Sequence, residues 1–450
     1  MIAALCLHLA LAAGLLSAAP EAQPQPQEKK AAAKAQPQGA NPRDVKVRAD
    51  KKAFEGREDW IYNDLTQGVE LAKATGKPLL IVFRCIPCEN CQDFDDSVAA
   101  RDPKIRELMD QFICVRIVRA NDIDLKLFQY DFDQSFAMAF MNADSTIYGR
   151  FGTRSARMDE EKDITLEGLR KSLEGALKLH RDYKAVKPSL AGKQSRPTQF
   201  ASARDYPSLR GKYQKELNYG VANVAQTCLH CHQIGEAIQN QERAATGSLS
   251  DRTLFPYPNP RVLGMSMDPE TMATVAAVEP GSIAERGGVR AGDRIAKLQG
   301  QPILSTADIQ WILHDAPDQG RLQAEIERDS ATREADLTLN SGWRRDSDIS
   351  WRTTTWNLRR MVLGGMFLEP SAGDQPGFRV KHVGQYGEHK AAWDAGVRAG
   401  DRVISFDGRD DFRSETAIIA HAAQKRKVGD IVTIKLVRGE KPFEVRIPLK

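Results

Sequence analysis

The chain has 450 residues, of which 41% are hydrophobic and 28% charged, so it has the composition of a soluble protein with room for about three globular domains. Its formal net charge of +4 is small for this length, and the lysines and arginines are dispersed. No basic stripe with interleaved aromatic residues is present in the sequence, which argues against nucleic acid as a partner.

The N-terminus has the features of a secretory signal peptide. Residues 2–16 form an apolar run that is short for a bilayer span, and small residues follow it at 17–19. We therefore expect a signal peptide over residues 1–19, export to the periplasm or cell envelope, and no stable membrane span after cleavage. An uncleaved anchor is the alternative, because the run has no basic residues before it. Residues 20–52 are rich in Gln, Pro, Ala and Lys, which predicts a disordered linker.

An α/β domain is predicted over residues 53–185 from the apolar periodicity. The elements are a helix at 61–72, a buried strand at 79–83, a helix at 105–112, strands at 113–117, 137–141 and 146–151, and a helix at 166–177. The order of these elements is that of a thioredoxin-like domain.

Three cysteines with a repeated spacing of three follow the buried strand directly. They are Cys85, Cys88 and Cys91, so two overlapping C-x-x-C pairs can form. A dithiol placed where a strand gives way to a helix favours the thiolate, because the helix N-terminus carries partial positive charge. Such a pair in an oxidising compartment is redox-active, bridged or bound to a metal.

The stretch resembles the thioredoxin active site. The distance from Phe83 to Cys88 equals that from the strand-ending Phe to the first active-site Cys in thioredoxins, so the resemblance implies Cys88 as the attacking thiolate and Cys91 as the resolving thiol. Cys85 is then an additional cysteine. The thioredoxin cis-proline has no counterpart, since Ser135 stands at about that position. The alternatives are a structural disulfide or a zinc site made by the three cysteines.

A second cysteine motif follows a predicted linker at 186–203. Within a short segment at 204–253, a helix predicted from apolar spacing at 213–224 leads into Cys228-Leu229-His230-Cys231-His232. The pattern C-x-x-C-H is the attachment motif of c-type haem, in which Cys228 and Cys231 bond the vinyl groups and His232 binds the iron. A zinc site with His230 and His232, or a disulfide, is the alternative.

The C-terminal part contains an internal repeat. The sequence GVRAGDRI at 288–295 recurs as GVRAGDRV at 396–403, which indicates duplicated modules. Their context resembles PDZ domains of the bacterial type, implying two α+β domains at 254–341 and 358–450 with groove helices at 305–316 and 414–424. The repeated Gly-Asp pair is interpreted as a structural turn.

The resemblance also implies two peptide-binding loops. They are Leu263-Gly264-Met265-Ser266 and Leu363-Gly364-Gly365-Met366. PDZ domains bind an extended C-terminal peptide as an added strand, so protein C-termini are the expected partners. A groove closed by intramolecular packing is the alternative for each. The Trp- and Arg-rich linker at 342–357 is expected to pack against a domain surface, with a binding patch as the alternative.

Taken together, the sequence predicts a multidomain chain: a thioredoxin-like domain, a short helical C-x-x-C-H segment and two PDZ domains. This architecture resembles a family of exported bacterial proteins that join thioredoxin-like and PDZ domains, some with selenocysteine in the redox motif. The resemblance implies a redox role with a protein partner. We expect thiol–disulfide exchange, with haem c as a second centre; a cell-envelope adaptor without catalysis and a haem-based sensor are the alternatives.

Overall fold

The computed structural model describes residues 41–88, 91–156, 160–271, 273–371 and 375–450. The predicted signal peptide and residues 20–40 of the predicted linker lie outside the described residues. Within the described part of the chain, no helix combines the length and the apolar character needed to cross a bilayer.

The end of the predicted disordered linker is a helix, α1 (Pro42–Phe54), so the prediction is wrong for residues 42–52. The reason is tertiary packing. Val47 and Phe54 are buried, and the ring of Phe54 stacks on Tyr62 at 5.6 Å between centroids. A short apolar stripe in a mostly charged helix was sufficient, because the partners for that stripe come from the following domain.

The α/β domain has the predicted elements in the predicted order, with an additional short strand at its start, an additional helix directly after Cys91 and an additional short helix on each side of its last long helix. They are β1 (Ile61–Tyr62), α2 (Leu65–Thr75), β2 (Leu79–Arg84), α3 (Gln92–Ala99), α4 (Pro103–Met109), β3 (Ile113–Ile117), β4 (Phe136–Met141), β5 (Ile147–Phe151), α5 (Glu160–Asp163), α6 (Leu166–Arg181) and α7 (Tyr183–Val186). The strands form one sheet in the order β1-β3-β2-β4-β5. The first three are parallel and the last two antiparallel to their neighbours.

Both faces of this sheet are buried, which explains the continuous apolar run of β2. Leu80 and Val82 face the core made with α6, whereas Leu79, Ile81 and Phe83 face the opposite side. That opposite side is covered in part by the predicted C-x-x-C-H segment. Its helix α8 (Cys231–Thr246) therefore completes the α/β domain instead of forming a separate unit.

The helix predicted before the second cysteine motif is wrong. Residues 206–223 form turns, and only a 3-10 helix, Val224–Thr227, precedes Cys228. The i, i+4 apolar spacing there reflects separate anchoring points, since Leu217 and Val224 are buried while Val221 is exposed. The long helix of this segment, α8, begins instead at Cys231, the second cysteine of the motif, and the short α9 (Asp251–Leu254) follows it.

Two repeat units of similar design follow. The first repeat unit contains β6 (Met265–Met267), β7 (Val275–Val278), α10 (Ile283–Arg286), β8 (Arg294–Leu298), β9 (Gln301–Pro302), α11 (Thr306–Asp315), β10 (Gly320–Arg328) and β11 (Ala331–Leu339). The second repeat unit, preceded by α12 (Thr355–Val362), contains β12 (Met366–Pro370), β13 (Phe378–Val383), α13 (Ala391–Asp394), β14 (Arg402–Phe406), α14 (Glu415–Lys425), β15 (Ile431–Arg438) and β16 (Lys441–Pro448). Helices α11 and α14 lie at the two positions, 305–316 and 414–424, where helices were predicted.

The repeated Gly-Asp pair is a structural turn, as predicted. The Asp293 carboxylate accepts a bond from the Nε of Arg328 at 2.6 Å, and the Asp401 carboxylate accepts one from the Nε of Arg438 at 2.7 Å. Each carboxylate also accepts a bond from a backbone N–H three residues earlier. Because both aspartates are buried and both of their oxygens are bonded, each one ties the turn before β8 or β14 to the end of β10 or β15 and has no free oxygen for catalysis.

The first repeat unit is docked on the α/β domain through α11. Lys193 Nζ lies 2.8 Å from Asp308 Oδ1, and both side chains are almost fully buried. The indole N–H of Trp311 donates to the carbonyl of Gly192 at 2.8 Å, and the Arg150 guanidinium lies 3.7 Å from the same ring. The predicted linker at 186–203 is therefore part of an ordered interface, and residues 306–313 of α11 are buried on all sides.

The Trp- and Arg-rich linker packs as predicted. Arg344 lies over the ring of Trp343 at 4.4 Å, and Arg352 over that of Trp351 at 4.8 Å. The guanidinium groups of both arginines are buried and donate to backbone carbonyls of other segments. The linker thus joins the three parts of the chain into one body.

Candidate functional site

The dithiol lies immediately after the central strand of the α/β sheet. After Arg84 the chain turns, and the N–H of Cys88 donates to the carbonyl of Cys85 at 3.0 Å. The turn brings the two Sγ atoms to 2.8 Å, and no disulfide joins them. Cys85 is buried and Cys88 half-buried, so Cys88 is the sulfur that an incoming molecule reaches first. Glu89 and Asn90 lie outside the described residues.

Cys91 occupies a different environment. It precedes α3 as the N-cap residue with a left-handed φ of 59°, and its side chain packs with Phe94 against the apolar core on the α6 side of the sheet. The structure therefore brings Cys85 into contact with Cys88. The pairing of Cys88 with Cys91, which the thioredoxin motif implies, stays a prediction.

The side chain of Arg84 stabilises this turn through hydrogen bonds. Its guanidinium donates to the carbonyl oxygens of Cys85 (2.8 Å) and Cys88 (3.0 Å), and its Nε to the carboxylate of Asp95 (3.0 Å). Arg116 binds the same carboxylate at 2.7 Å. Arg116 also pairs with Asp50 at 2.7 Å, so the two buried guanidinium groups are balanced by two carboxylates. This network fixes the base of the dithiol loop.

Ser135 lies against the dithiol loop, at the position that the resemblance assigned to the thioredoxin cis-proline. Its carbonyl accepts a bond from the N–H of Cys85 at 2.9 Å and another from Arg84 at 3.2 Å. The residue is buried immediately before β4. The Ser135 carbonyl therefore fixes the dithiol loop next to the start of β4.

A histidine from the second cysteine motif completes the site. His230 Nδ1 lies 3.2 Å from Cys85 Sγ, although 145 residues separate the two in sequence. The three ligand-type atoms of Cys85, Cys88 and His230 all lie within 4.8 Å of one another. The imidazole is half-buried and can exchange a proton with the dithiol.

The His230 backbone is held by two side chains that the sequence analysis did not single out. Fully buried Asn121 accepts a bond from the N–H of Leu229 at 2.8 Å and donates to the carbonyl of Thr227 at 2.9 Å. Gln233 accepts a bond from the N–H of His230 at 2.9 Å. These bonds position the imidazole over the dithiol without contacting its ring.

The pKa values of the two thiols are shifted in opposite directions. The hydrogen bond from Cys85, supported by His230, lowers the pKa of Cys88 to about 4 against the opposing effect of burial. The same hydrogen bond to Cys88, together with burial, raises the pKa of Cys85 well above its usual value. Cys88 is therefore the thiolate at neutral pH, and Cys85 keeps the shared proton.

This asymmetry predicts the pH dependence of alkylation. In metal-free, reduced protein, iodoacetamide should label Cys88 at a nearly constant rate between pH 6 and 8, because the thiolate is already formed above its pKa of about 4. An ordinary thiol with a pKa near ~8.5 would react roughly tenfold faster per pH unit over this range. Labelling followed by peptide mass spectrometry measures the rate at each cysteine.

Two comparisons make this measurement specific. Replacement of His230 by Ala removes a bond that lowers the Cys88 pKa, so alkylation should become slower at pH 6 and rise with pH. Cys114 is an internal reference, because burial raises its pKa to about 12 and it should stay unlabelled in folded protein. A Cys88 rate that rises tenfold per unit in the native chain would contradict the asymmetry.

The second cysteine motif does not fit a haem in this packing. Cys228 is 3% and Cys231 8% exposed, and the Sγ of Cys231 lies 3.3 Å from the hydroxyl of Tyr130. Nδ1 of His232 lies 2.9 Å from Glu236 Oε1. Covalent attachment needs both sulfurs at the porphyrin edge, whereas Cys231 is buried against the α/β sheet and Cys228 in a separate apolar cluster with Val47 and Val118. The haem c prediction therefore stays a prediction that spectroscopy has to test.

The first predicted peptide-binding loop borders a cavity of about 730 Å³. Leu263 and Met265 are buried, and Gly264 has a left-handed φ of 78° with its N–H bonded to Arg261. Ser266 continues into β6. A Cβ on Gly264 would lie 2.1 Å from the Cβ of Ser282, so this loop requires glycine.

The second predicted loop is closed by its own chain. The N–H of Gly365 donates to the carbonyl of Arg359 at 2.9 Å, and that of Met366 to Leu363 at 3.2 Å. Gly364 and Gly365 both have left-handed φ angles. Two amides of the loop that would bind a carboxylate, those of Gly365 and Met366, are therefore already bonded.

The strand edge beside this second loop is also occupied. The N–H of Leu368 in β12 donates to the carboxylate of Glu415 at 2.7 Å, and Glu415 forms a buried ion pair with Arg359 of α12. A peptide added to β12 would have to displace this carboxylate. The arrangement matches the closed-groove alternative for the second unit.

Comparison with protein families agrees with the geometry. Residues 60–143 match a family described as thioredoxin-like, and residues 274–328 match one described as a PDZ domain. No curated protein matches the chain. The chain therefore contains a thioredoxin-like domain, with the dithiol at its expected place, and a PDZ domain in the first repeat unit. Together with the cysteine–histidine cluster, they indicate a redox or thiol-related protein with a protein-binding module.

Proposed function

We propose that this protein is an exported thiol–disulfide oxidoreductase in which Cys88 attacks, Cys85 resolves and His230 moves the proton. The observation that carries the proposal is the placement of Cys85 Sγ, 2.8 Å from Cys88 Sγ and 3.2 Å from His230 Nδ1. Such exchange needs a resolving thiol that can reach both the attacking sulfur and a base, and Cys85 is placed in this way.

The exchange proceeds in two displacements. The Cys88 thiolate attacks one sulfur of a client disulfide, forms a mixed disulfide and releases the other client sulfur as a thiolate. Cys85 then loses its proton to His230 and attacks the sulfur of Cys88, so that the second client thiolate leaves and takes up a proton. Two electrons pass to the client, and the Cys85–Cys88 disulfide replaces the client disulfide. The same steps in reverse oxidise a client dithiol.

The client is proposed to be a protein held by a PDZ domain. A PDZ domain suggests peptide binding. Because α11 is buried against the α/β domain, the site proposed for the client peptide is the cavity of about 730 Å³ that Leu263 and Gly264 line. We further propose that residues 358–450 form a second PDZ domain, since its Asp401–Arg438 pair repeats the Asp293–Arg328 pair of the first. Because Glu415 occupies the edge of β12, this second domain is proposed to pack against the rest of the chain and to bind no peptide unless Glu415 is displaced.

A thiol-exchange assay tests the proposed reaction. Reduced full-length protein should reduce a fluorescent peptide disulfide, and Cys88→Ser should slow this by at least about a hundredfold, because the attacking atom is gone. Cys114→Ser is the matched control, since this thiol is buried on β3 and does not contact the site. Equal rates in native protein and Cys88→Ser would rule out the proposed nucleophile.

Two other functions can be separated from this one by simple measurements. An adaptor would bind C-terminal peptides through its PDZ domain while Cys88 and Cys91 behave as an unreactive pair. A haem protein or haem-based sensor would show a Soret band after expression in a host with haem-attachment machinery, and the band would disappear in Cys228→Ser. Peptide binding without thiol exchange would favour the adaptor, and a Soret band would favour haem at the second motif.

A further inference from the structure

We infer that the reduced site binds one Zn²⁺ through Cys85, Cys88 and His230. The proposal goes beyond thiol exchange and does not depend on it, because it needs only the two thiolates and the imidazole. It takes two ligands from the first cysteine motif and one from the second. Neither motif alone contains this set.

The donor atoms suit zinc in number and kind. Two thiolates and one imidazole form a Cys₂His set, which occurs in zinc sites that keep a fourth position open for water or another ligand. The three donor atoms already lie within 4.8 Å of one another. Zinc bonds of about 2.3 Å to sulfur place two tetrahedral sulfurs about 3.8 Å apart. Rotation of the half-buried Cys88 side chain can widen the present 2.8 Å separation to that distance.

The charge balance also favours a divalent ion. Two thiolates and one Zn²⁺ are neutral together, so the ion removes the cost of placing negative charge in a site where Cys85 is buried. Arg84 is already neutralised in part by Asp95 at 3.0 Å and holds the dithiol loop through carbonyl oxygens, so it leaves both sulfurs available.

The structure selects these ligands over their neighbours. His232 is turned to Glu236 at 2.9 Å, and its ring centroid lies 5.7 Å from that of His230. Cys91 packs with Phe94 against the apolar core. The main chain that carries His230 is fixed by two bonds: the N–H of Leu229 donates to Asn121, and the N–H of His230 donates to Gln233.

Metal titration of the reduced full-length chain tests the proposal. Zn²⁺ should bind in competition with a chromophoric chelator at one ion per chain, and Co²⁺ should give thiolate-to-metal charge-transfer and tetrahedral d–d absorption. Cys85→Ser, Cys88→Ser and His230→Ala should each lower the affinity by about a hundredfold or more, since loss of an outer-shell partner alone costs 10–100-fold as a rough guide. Thermal melts of the metal-free variants show whether each one folds.

Cys91→Ser and His232→Ala are the matched controls and should bind Zn²⁺ within about twofold of the native chain, because neither residue is a ligand. Unchanged Zn²⁺ affinity and Co²⁺ spectra in His230→Ala, with loss of both in Cys91→Ser, would overturn the proposed ligand set. No binding to the native reduced chain would overturn the site itself. Failure of thiol exchange with intact Zn²⁺ binding would leave this inference standing and refute only the proposed reaction.

Discussion

Serine at Cys85 should leave the protein able to begin thiol exchange but unable to complete it. Cys88 remains the half-buried thiolate and still attacks a client disulfide, whereas the resolving sulfur, 2.8 Å away in the native chain, is missing. The mixed disulfide between Cys88 and the client should therefore accumulate as a covalent adduct. Non-reducing gel electrophoresis and intact-mass spectrometry measure the trapped fraction.

The companion variants identify the resolving cysteine. Cys88→Ser should form no adduct, because the attacking atom is absent. Cys91→Ser should turn over like the native chain, since its side chain packs against the core. If Cys91→Ser traps the adduct and Cys85→Ser does not, the thioredoxin-type pairing of Cys88 with Cys91 is correct and the pairing proposed from the structure is wrong.

Replacing Arg352 with methionine should destabilise the folded chain by about 3–5 kcal/mol at pH 7. Arg352 Nη1 lies 2.7 Å from Asp131 and 3.1 Å from Asp133, and all three side chains are buried. Burial already raises the pKa of Asp131, with Arg352 acting to lower it. Without the guanidinium, two carboxylates remain in the interior with no countercharge from that residue.

Urea unfolding at two pH values checks this prediction. In the variant the pKa of Asp131 rises further above its unfolded value, so the folded state binds more protons than the unfolded state and loses stability as pH increases. The deficit should be larger at pH 7 than at pH 5. Arg345→Met is the control, because Arg345 pairs with Asp251 at the surface and its loss should cost less than about 1 kcal/mol. Equal losses in the two variants would contradict the prediction.

The sequence placed one half of the candidate site. A buried strand followed by cysteines is a local pattern, so the position of the dithiol could be predicted from a few consecutive residues, and the attack by Cys88 stays a prediction. The choice between Cys85 and Cys91 could not. It depends on how the turn after Arg84 folds, and that turn is shaped by Asp95 and by the Ser135 carbonyl.

The other half of the site came from a motif interpreted differently. The pattern C-x-x-C-H drew attention to His232 as an iron ligand, whereas His230 is the residue that reaches the dithiol. The sequence contains only an indirect indication that the segment with His230 contacts another part of the chain. The segment is too short for a complete haem domain and its helix is amphipathic, which indicates that it needs another surface on which to pack.

What the sequence determined by itself is the local structure: the strands of the thioredoxin-like sheet, both groove helices and the duplicated Gly-Asp turn. The spacing of apolar residues indicates which side of each element is buried, and a repeated turn motif indicates a repeated backbone conformation. Only the tertiary structure decided which surface covers which. It placed α8 on the sheet, His230 3.2 Å from Cys85 and Glu415 on the edge of β12. Such contacts join residues far apart in the chain, and a local pattern shows that an apolar face needs a partner without showing which partner it meets.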